Sequence, residues 1–475
     1  MQIDERLIAS IVEEVLKTME MEKTECNGEC GSACTGHDGL FSHYEAAIKA
    51  AKAGQRELVK LSIERREEII SSIRKAVVAN AERLALMAFE ESQMGRYEDK
   101  ISKNIGAALK TPGTEDLKTQ AVTGDGGLLL FERGPYGLIA AITPITNPTA
   151  TIINNSISMI SAGNSIFFCP HPGAQKSSIE TIKVINKAIK EAKGPENLLV
   201  CVQEATLDVV NKVMAHPDVK LVVATGGPGV VKATLSSGKK AIGAGPGNPP
   251  VVVDETADLK KAAQDIISGA SFDNNLPCIA EKVIIAIDSI ADELIEHLVA
   301  NGAFEVTGRD KIERLTKAIF KDDKVNRGFI GKDALYILKE AGVDSGVPSG
   351  KDVKMAFIEV DEDHPLVQEE QLMPILPIVR VKTFEEALKL AVQVEHGFRH
   401  TALVHSKNID RITRYARAID TTAFVVNGPS SAALGDGAEG HITFTIAGPT
   451  GEGVTSARSF TRERRLVVTK GLSIR

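Results

Sequence analysis

The sequence predicts an α/β protein with parallel β-sheets. Short apolar runs typical of buried strands alternate with stretches of helical periodicity, the pattern of parallel sheets covered by helices. The apolar runs are LIAAI (138–142), SIFFC (165–169), LLVCV (198–202), LVVAT (221–225), PVVVD (250–254), EKVIIAI (281–287), PIVRVK (377–382), TALVHS (401–406) and TTAFVVN (421–427). Between two of these runs, residues 174–193 place isoleucines along one helical face. With 43% hydrophobic and 25% charged residues in 475, the composition is that of a globular protein of roughly two to four domains.

Residues 1–20 predict a separate amphipathic helix. Its apolar face is formed by Ile3, Leu7, Ile8, Ile11, Val12, Val15, Leu16 and Met19. Residues 21–39 show no hydrophobic period and predict a flexible linker. A tethered helix of this kind favours docking to another protein, and packing on the main domain or on a sister subunit is the alternative. The acidic polar face argues against binding at a membrane surface.

Three cysteines lie within the linker. Cys26, Cys30 and Cys34 are four residues apart, and His37 follows. Three Cys and one His are able to bind zinc, but the spacing is not the usual C-x2-C pair. We therefore favour a solvated linker and expect no metal site.

Composition and charge argue against several classes of function. The chain has 56 Lys and Arg against 63 Asp and Glu, so no basic excess indicates nucleic acid. No apolar run reaches the ~18–20 residues of a membrane span. No secretory signal is apparent, and six unevenly spread cysteines do not form a disulfide framework. We expect a reduced, cytoplasmic enzyme with no nucleic-acid or membrane partner.

Familiar nucleotide-binding motifs are missing from the sequence. It contains no G-x-x-x-x-G-K-[ST], and its glycine-rich stretches do not fit G-x-G-x-x-G. The stretch GGPGVV (226–231) follows the apolar run at 221–225 and precedes a predicted helix. Backbone N–H groups there are able to face a phosphate, and a plain strand-to-helix turn is the equal alternative.

One cysteine differs from the others in its surroundings. Cys278 lies in a polar loop between a predicted helix and a strand, whereas Cys169 and Cys201 lie inside apolar runs and are expected to be buried packing residues. A thiolate attacks carbonyl carbon and later serves as a leaving group, so it is able to carry an acyl group between two steps. The loop therefore makes Cys278 a candidate nucleophile.

The segment SFDNNLPCIAEK around Cys278 resembles the active-site segment of CoA-acylating aldehyde dehydrogenases. So do residues 143–174, ATGGPGVVKA, AIGAGPGNPPVVVDETADL and FTIAGPTGEGVTSARSFTRERR. Within that family the sequence is most similar to the propionaldehyde enzymes of propanediol-utilising bacterial microcompartments, with the acetaldehyde enzymes of ethanolamine use as near relatives. In that group a helix such as residues 1–20 acts as an encapsulation peptide.

The resemblance implies two Rossmann-like α/β domains and a β-strand arm for oligomerisation. It places a domain that binds NAD and CoA at 40–248 and a catalytic domain at 249–440. The C-terminal segment at 441–475 includes the late strand RRLVVTK (464–470), which joins residues 120–135 in the arm. A homodimer or homotetramer is implied. The resemblance also implies a cytoplasmic enzyme inside a microcompartment, bound to a shell protein through residues 1–20.

Site residues are carried over by position. Cys278 matches the nucleophile, Asn147 the side-chain donor to the oxyanion, and His400 a histidine that assists deprotonation of the CoA thiol, with packing as its equal alternative. Glu370 matches the carboxylate that holds the nicotinamide ribose. The remaining residues that match the dinucleotide cleft are Thr143, Pro144, Ile145, His171, Pro172, Gly173, Thr225, Gly226, Gly227, Val230 and Leu372.

One departure from the wider aldehyde dehydrogenase pattern bears on the reaction. Hydrolytic members have a water-activating Glu in E-L-G-G-K, and Gly243 stands at its position here. Loss of that base slows hydrolysis of a thioester intermediate and leaves it to CoA. The resemblance therefore implies NAD-dependent oxidation of propionaldehyde or acetaldehyde to the acyl-CoA. One alternative is a hydrolytic dehydrogenase, which would use the same nucleophile. The other is a non-catalytic scaffold protein, and that alternative leaves Cys278 unexplained.

Overall fold

The computed structural model describes residues 37–322, 324–344, 347 and 352–474. Its strands are β1 (Leu40–Phe41), β2 (Gln120–Gly124), β3 (Gly127–Pro135), β4 (Leu138–Thr143), β5 (Ser165–Pro170), β6 (Leu199–Val202), β7 (Val219–Thr225), β8 (Lys240–Ala244), β9 (Pro250–Val253), β10 (Val283–Ile287), β11 (Ala303–Glu305), β12 (Phe320–Lys321), β13 (Lys324–Val325), β14 (Met355–Glu359), β15 (Ile375–Val381), β16 (Thr401–His405), β17 (Ala423–Val426), β18 (Ile446–Ala447), β19 (Gly453–Val454) and β20 (Thr461–Thr469). The predicted helix at 1–20 and the cysteines at 26, 30 and 34 lie outside the described residues.

The α-helices follow the predicted alternation with the strands. They are α1 (Tyr44–Leu58), α2 (Ile63–Ser92), α3 (Tyr97–Lys110), α4 (Pro148–Ser161), α5 (Gln175–Glu191), α6 (Leu207–Ala215), α7 (Pro228–Leu235), α8 (Leu259–Ser271), α9 (Asp288–Ala300), α10 (Arg309–Ile319), α11 (Ala334–Glu340), α12 (Pro365–Gln368), α13 (Phe384–Val394) and α14 (Ile409–Ile419). Several begin at a capping residue whose side chain accepts a backbone N–H, such as Ser62 before α2 and Asp258 before α8.

The first sheet is parallel and has the strand order β1-β6-β5-β4-β7-β8. Helices α2, α4 and α5 cover one face, where Ile73, Ile157 and Ile185 join the core. Helices α1 and α6 cover the other face through Ile48 and Val213. Because both faces are buried, the central strands are almost continuously apolar, which explains why they were readable in the sequence.

Cys169 and Cys201 lie inside β5 and β6 of this sheet. They are 1% and 0% exposed, and burial raises the pKa of each thiol to about 12. Both are packing residues, as predicted.

The second sheet is also parallel, in the order β11-β14-β15-β10-β9-β16-β17. Helices α8 and α9 bury Ile266 and Leu294 on one face, and α13 and α14 bury Leu390 and Tyr415 on the other. Along the chain, β8 is the last strand of the first sheet and β9 is the first strand of the second, with five residues between them. The predicted α/β class with two parallel sheets is confirmed.

A third, antiparallel sheet joins β2, β3 and β20. Its register pairs Thr461 with Pro135 at one end and Thr469 with Gly127 at the other. The strand predicted at 464–470 therefore forms most of β20. Leu466 and Val467 of this strand are 54% and 64% exposed, so the arm presents apolar side chains at its surface. Across the part of the chain that the structure describes, no helix is long and apolar enough to span a membrane.

Candidate active site

Loops after neighbouring strands of the first sheet meet at its carboxyl edge. Thr143 ends β4, His171 follows β5 and Thr225 ends β7, and these strands are adjacent in the order β5-β4-β7. From β4 the chain continues to β5 on one side of it, and after β6 it crosses over to β7 on the other side. The carboxyl end of β4 is therefore a topological switch point, the place where open α/β sheets bind ligands. The structure thus brings together most of the predicted cofactor residues: Thr143, Pro144, Ile145, His171, Pro172, Gly173, Thr225, Gly226, Gly227 and Val230.

Two features at this edge fit a dinucleotide. Helix α7 begins after Gly227 without a side-chain cap, and a Cβ built on Gly226 or Gly227 would meet nothing within 4 Å. The positive end of the helix is therefore open to a phosphate. The Thr143 hydroxyl is buried without a hydrogen-bond partner, so it is free to bond a ligand in the cleft.

Loops that precede neighbouring strands of the second sheet meet at its amino edge. Gly247 comes three residues before β9, Cys278 five before β10, Glu370 five before β15, and His400 directly before β16. The strand order β15-β10-β9-β16 places these four loops side by side. Chemistry in open α/β sheets usually lies at the carboxyl edge, so the sequence alone did not indicate this arrangement.

The loop before Cys278 is held in an unusual conformation. Asp273, Asn274 and Asn275 have φ angles of 47°, 54° and 64°, in the left-handed region that Asn and Asp tolerate better than other side-chain-bearing residues. The Asn275 amide donates to the carbonyls of Ala270 at 2.9 Å and Glu281 at 3.0 Å. These bonds fix the turn that carries Cys278 toward the amino edge of the sheet.

Cys278 is half-buried between opposing charges. Burial raises the pKa of its thiol to about 12, and the Glu370 carboxylate adds to the rise. The Lys282 ammonium and the N–H groups of Cys278 and Ile279 act in the opposite direction because they stabilise the thiolate. Burial and Glu370 therefore favour the neutral thiol, while Lys282 and the two N–H groups favour the thiolate.

Lys282 is a fully buried cation beneath the nucleophile loop. Its ammonium donates to the Asn275 carbonyl at 2.8 Å, to the Asn275 side-chain oxygen, and to the Pro277 carbonyl at 3.4 Å. Burial lowers the pKa of Lys282 to about 8, while Glu370 and Cys278 act to raise it. The ammonium thus holds the loop and supplies positive charge near the sulfur.

Glu370 and Gly247 connect two of the loops. The Gly247 N–H donates to Glu370 Oε1 at 3.3 Å. Burial raises the pKa of Glu370, and Lys282 and the Gly247 N–H oppose that rise. Leu372, two residues later, has a φ of 53° and its carbonyl accepts the Gly331 N–H at 2.8 Å, which fixes the backbone beside Glu370.

His400 packs against the Gly247 loop, where a Cβ on Gly247 would lie 3.0 Å from its Cγ, and it is 1% exposed. Its Nδ1 lies 2.8 Å from Thr401 Oγ1, while Nε2 is buried without a partner. Burial, with Lys282 as a second cause, lowers the pKa of His400 to about 4. In the tautomer in which Nδ1–H donates to Thr401 Oγ1, the unpaired Nε2 of the neutral imidazole is able to accept a proton.

Asn147 occupies the N-cap position of α4 without a side-chain capping bond, and Pro148 is the first helical residue. Its side-chain Nδ2 lies 3.3 Å from Thr146 Oγ1, and its Oδ1 accepts a hydrogen bond from Lys103 Nζ. The residue lies four positions after the end of β4, in the loop at the carboxyl edge of the first sheet.

Gly243 lies in β8, and its surroundings leave little room for a side chain. A Cβ there would lie 2.9 Å from Val231 Cγ1, tighter than real contacts allow. Glycine supplies no carboxylate here, and the packing disfavours a larger residue.

Sequence reasoning missed four residues of this site. Lys282 and Gly247 lie in two of the segments that resemble the family. Their spacing did not indicate that Lys282 is a buried cation or that Gly247 lies against Cys278 and His400. Lys103 and Asp273 are 170 positions apart and meet only in the fold. Among the described residues, no group of three His, Cys, Asp or Glu is placed to hold a metal ion.

A model of the aldehyde dehydrogenase family matches residues 31–317 and 337–440, which is most of the chain. The chain belongs to the aldehyde dehydrogenase family. This aldehyde dehydrogenase is 46% identical over 471 residues to the propanal dehydrogenase (CoA-propanoylating) of Salmonella typhimurium, covering 99% of each chain. It is 45% identical over 487 residues to the acetaldehyde dehydrogenase (acetylating) of Bilophila wadsworthia, covering 100% of each.

Solved structures of aldehyde dehydrogenases are also similar to this chain over most of its length. A propionaldehyde dehydrogenase from the Clostridium phytofermentans fucose utilisation microcompartment has a TM-score of 0.90 at 52% identity, covering 92% of this chain and 100% of that one. A Rhodopseudomonas palustris propionaldehyde dehydrogenase with bound CoA and an acylated cysteine has a TM-score of 0.90 at 48% identity, covering 93% and 100%. The predicted family is thus confirmed.

Proposed function

We propose that this enzyme oxidises a short-chain aldehyde with NAD+ and CoA to the acyl-CoA and NADH, through a thioester on Cys278. The observation that carries the proposal is that Gly243, packed against Val231, supplies no carboxylate, while Cys278 stands among Lys282, Glu370 and His400. Relatives described as CoA-propanoylating and a relative with CoA and an acylated cysteine support it.

Each residue has a defined part in the reaction. Cys278 sulfur, as thiolate, adds to the carbonyl carbon, and Asn147 Nδ2 with the Cys278 N–H holds the resulting oxyanion. When bound, NAD+ takes the hydride and CoA supplies the thiol that accepts the acyl group. Glu370 holds the nicotinamide ribose, and His400 Nε2 takes the proton from the attacking thiol.

NADH formation with and without CoA tests this proposal. With propionaldehyde we expect turnover that depends on CoA, yields propionyl-CoA by mass spectrometry, and is abolished in Cys278→Ala. Rapid release of propionate without CoA would instead favour the hydrolytic alternative. Absence of NADH under all conditions would favour a non-catalytic role.

The aldehyde is propionaldehyde or acetaldehyde in this proposal. The propanal and acetaldehyde relatives are nearly equally similar to the chain, at 46% and 45% identity. One methylene in an apolar pocket is worth about 1–3 kcal/mol, or roughly 10- to 200-fold. The ratio of kcat/KM values for the two aldehydes decides the assignment, and a ratio above tenfold names the substrate.

Encapsulation and self-association complete the proposal. We assign residues 1–20 to binding a microcompartment shell protein inside the cytoplasm, because the apolar face of the helix predicted there needs a partner. A fluorescent protein fused to residues 1–39 should localise to microcompartments, and diffuse fluorescence would contradict this.

The arm of β2, β3 and β20 pairs with a second copy, through exposed Leu466 and Val467. Val467→Asp should weaken the dimer or tetramer in analytical ultracentrifugation.

A further inference from the structure

A buried polar cluster lies beside the nucleophile loop, and the proposed reaction gives its charged side chains no part. Its centre is Asp273, which is fully buried five residues before Cys278. The carboxylate accepts from Lys103 Nζ, from Lys100 Nζ at 3.3 Å, and from the Arg96 N–H at 2.7 Å. Lys100 and Lys103 are 3% and 5% exposed, so two cations share one buried anion.

Lys103 extends this cluster to the oxyanion donor. Its ammonium donates both to Asp273 Oδ2 and to Asn147 Oδ1. Lysine has donors and no acceptor, so the oxygen end of the Asn147 amide has to face it. The Nδ2 end then points away from Lys103. The other contact of the amide, from Nδ2 to Thr146 Oγ1 at 3.3 Å, does not select one orientation, because a hydroxyl both donates and accepts. Without Lys103 the amide is therefore able to turn over, since its two ends are nearly the same in shape.

The cluster also joins the two halves of the site. Asn147 follows β4 of the first sheet, whereas Asp273 belongs to the loop that carries Cys278 before β10 of the second. Lys103, on α3, bonds to both. The position of the amide is therefore tied to the position of the nucleophile loop through one side chain.

We propose that Lys103 is a positioning residue of the reaction: bridging Asp273 and Asn147, it fixes the Asn147 amide with Nδ2 toward the aldehyde oxygen. The ammonium also withdraws electron density from the amide oxygen, which makes the Nδ2 hydrogens stronger donors. This inference rests on the proposed function, since it acts on the acylation step in which the oxyanion forms.

The test is the rate of the first NADH turnover, measured by stopped flow with aldehyde and NAD+ at saturation. Lys103→Met should slow this acylation step by about 10- to 100-fold, somewhat less than the loss of an oxyanion donor. Lys100→Met is the matched control, because Lys100 bonds the same carboxylate but has no bond to Asn147; we expect less than about threefold loss. Thermal unfolding of each variant separates destabilisation from the kinetic effect.

A double-mutant comparison identifies the route of the effect. If Lys103 acts through Asn147, adding Lys103→Met to Asn147→Ala should cause no further slowing. Losses that multiply in the double variant, or a Lys100→Met loss equal to that of Lys103→Met, would overturn the proposal. Should Lys103→Met not fold, Lys103→Gln serves in the same comparison. Wild-type protein that makes no NADH would refute the proposed function itself, which is a different outcome.

Discussion

Gly247 allows a close approach between two catalytic loops, and a single methyl group there should disturb both. A Cβ built on Gly247 would lie 2.7 Å from the Cys278 carbonyl oxygen and 3.0 Å from His400 Cγ. Ordinary contacts begin near 3.4 Å, so the Cys278 carbonyl would have to retreat by about 0.7 Å. Overpacking of this kind costs about 1–3 kcal/mol of stability. Displacing reacting groups by about 1 Å costs roughly 10²-fold in rate.

We therefore expect Gly247→Ala to lose about 10- to 100-fold in kcat/KM for the aldehyde, with a lower Tm. Gly245→Ala is the matched control: a Cβ on Gly245 would meet nothing within 4 Å, and neither glycine has a positive φ. The control should keep its activity within threefold and its stability within about 0.5 kcal/mol. Wild-type activity in Gly247→Ala, or an equal loss in the control, would refute the close approach.

Further predictions concern single groups of the site. His400→Ala should slow acyl transfer to CoA while leaving the first NADH turnover within threefold, and stopped flow separates the two steps. Burial lowers the pKa of His400 to about 4, so the rate of acyl transfer in the wild type should show no inflection near pH 6.5 when the pH falls from 8 to 6. An inflection near pH 6.5 that is absent in His400→Ala would contradict this. Lys282→Met removes a cation that stabilises the Cys278 thiolate, so the pKa of the thiol should rise and alkylation by iodoacetamide at pH 8 should slow about tenfold; unchanged alkylation would contradict it. Glu370→Gln should raise KM for NAD+ more than it changes KM for CoA, measured in steady state, and equal changes would argue against the ribose assignment.

Much of the fold was readable because parallel strands buried on both faces leave continuous apolar runs. LIAAI, SIFFC and LVVAT became β4, β5 and β7 with ends within two residues of the prediction. Cys278 was marked by a polar loop between apolar elements, and the structure places it half-buried in that loop.

The support around the nucleophile was not readable, because it depends on contacts between distant segments. Asp273 and Lys103 carry no spacing signal, since the bond between them forms only when α3 packs beside the nucleophile loop. Gly247 looked like any other glycine in GAGPGN until the fold placed it against Cys278 and His400. Local pattern predicted the elements, and tertiary packing determined how the site is held.

The most direct test of the acylating mechanism is the fate of the enzyme-bound acyl group. Enzyme mixed with propionaldehyde and NAD+ without CoA should gain the mass of one propionyl group on Cys278, seen by intact-protein and peptide mass spectrometry. Addition of CoA should discharge it within one turnover time and yield propionyl-CoA, whereas incubation in buffer should discharge it far more slowly. An acyl group lost to water as fast as to CoA, or found on a residue other than Cys278, would contradict the account.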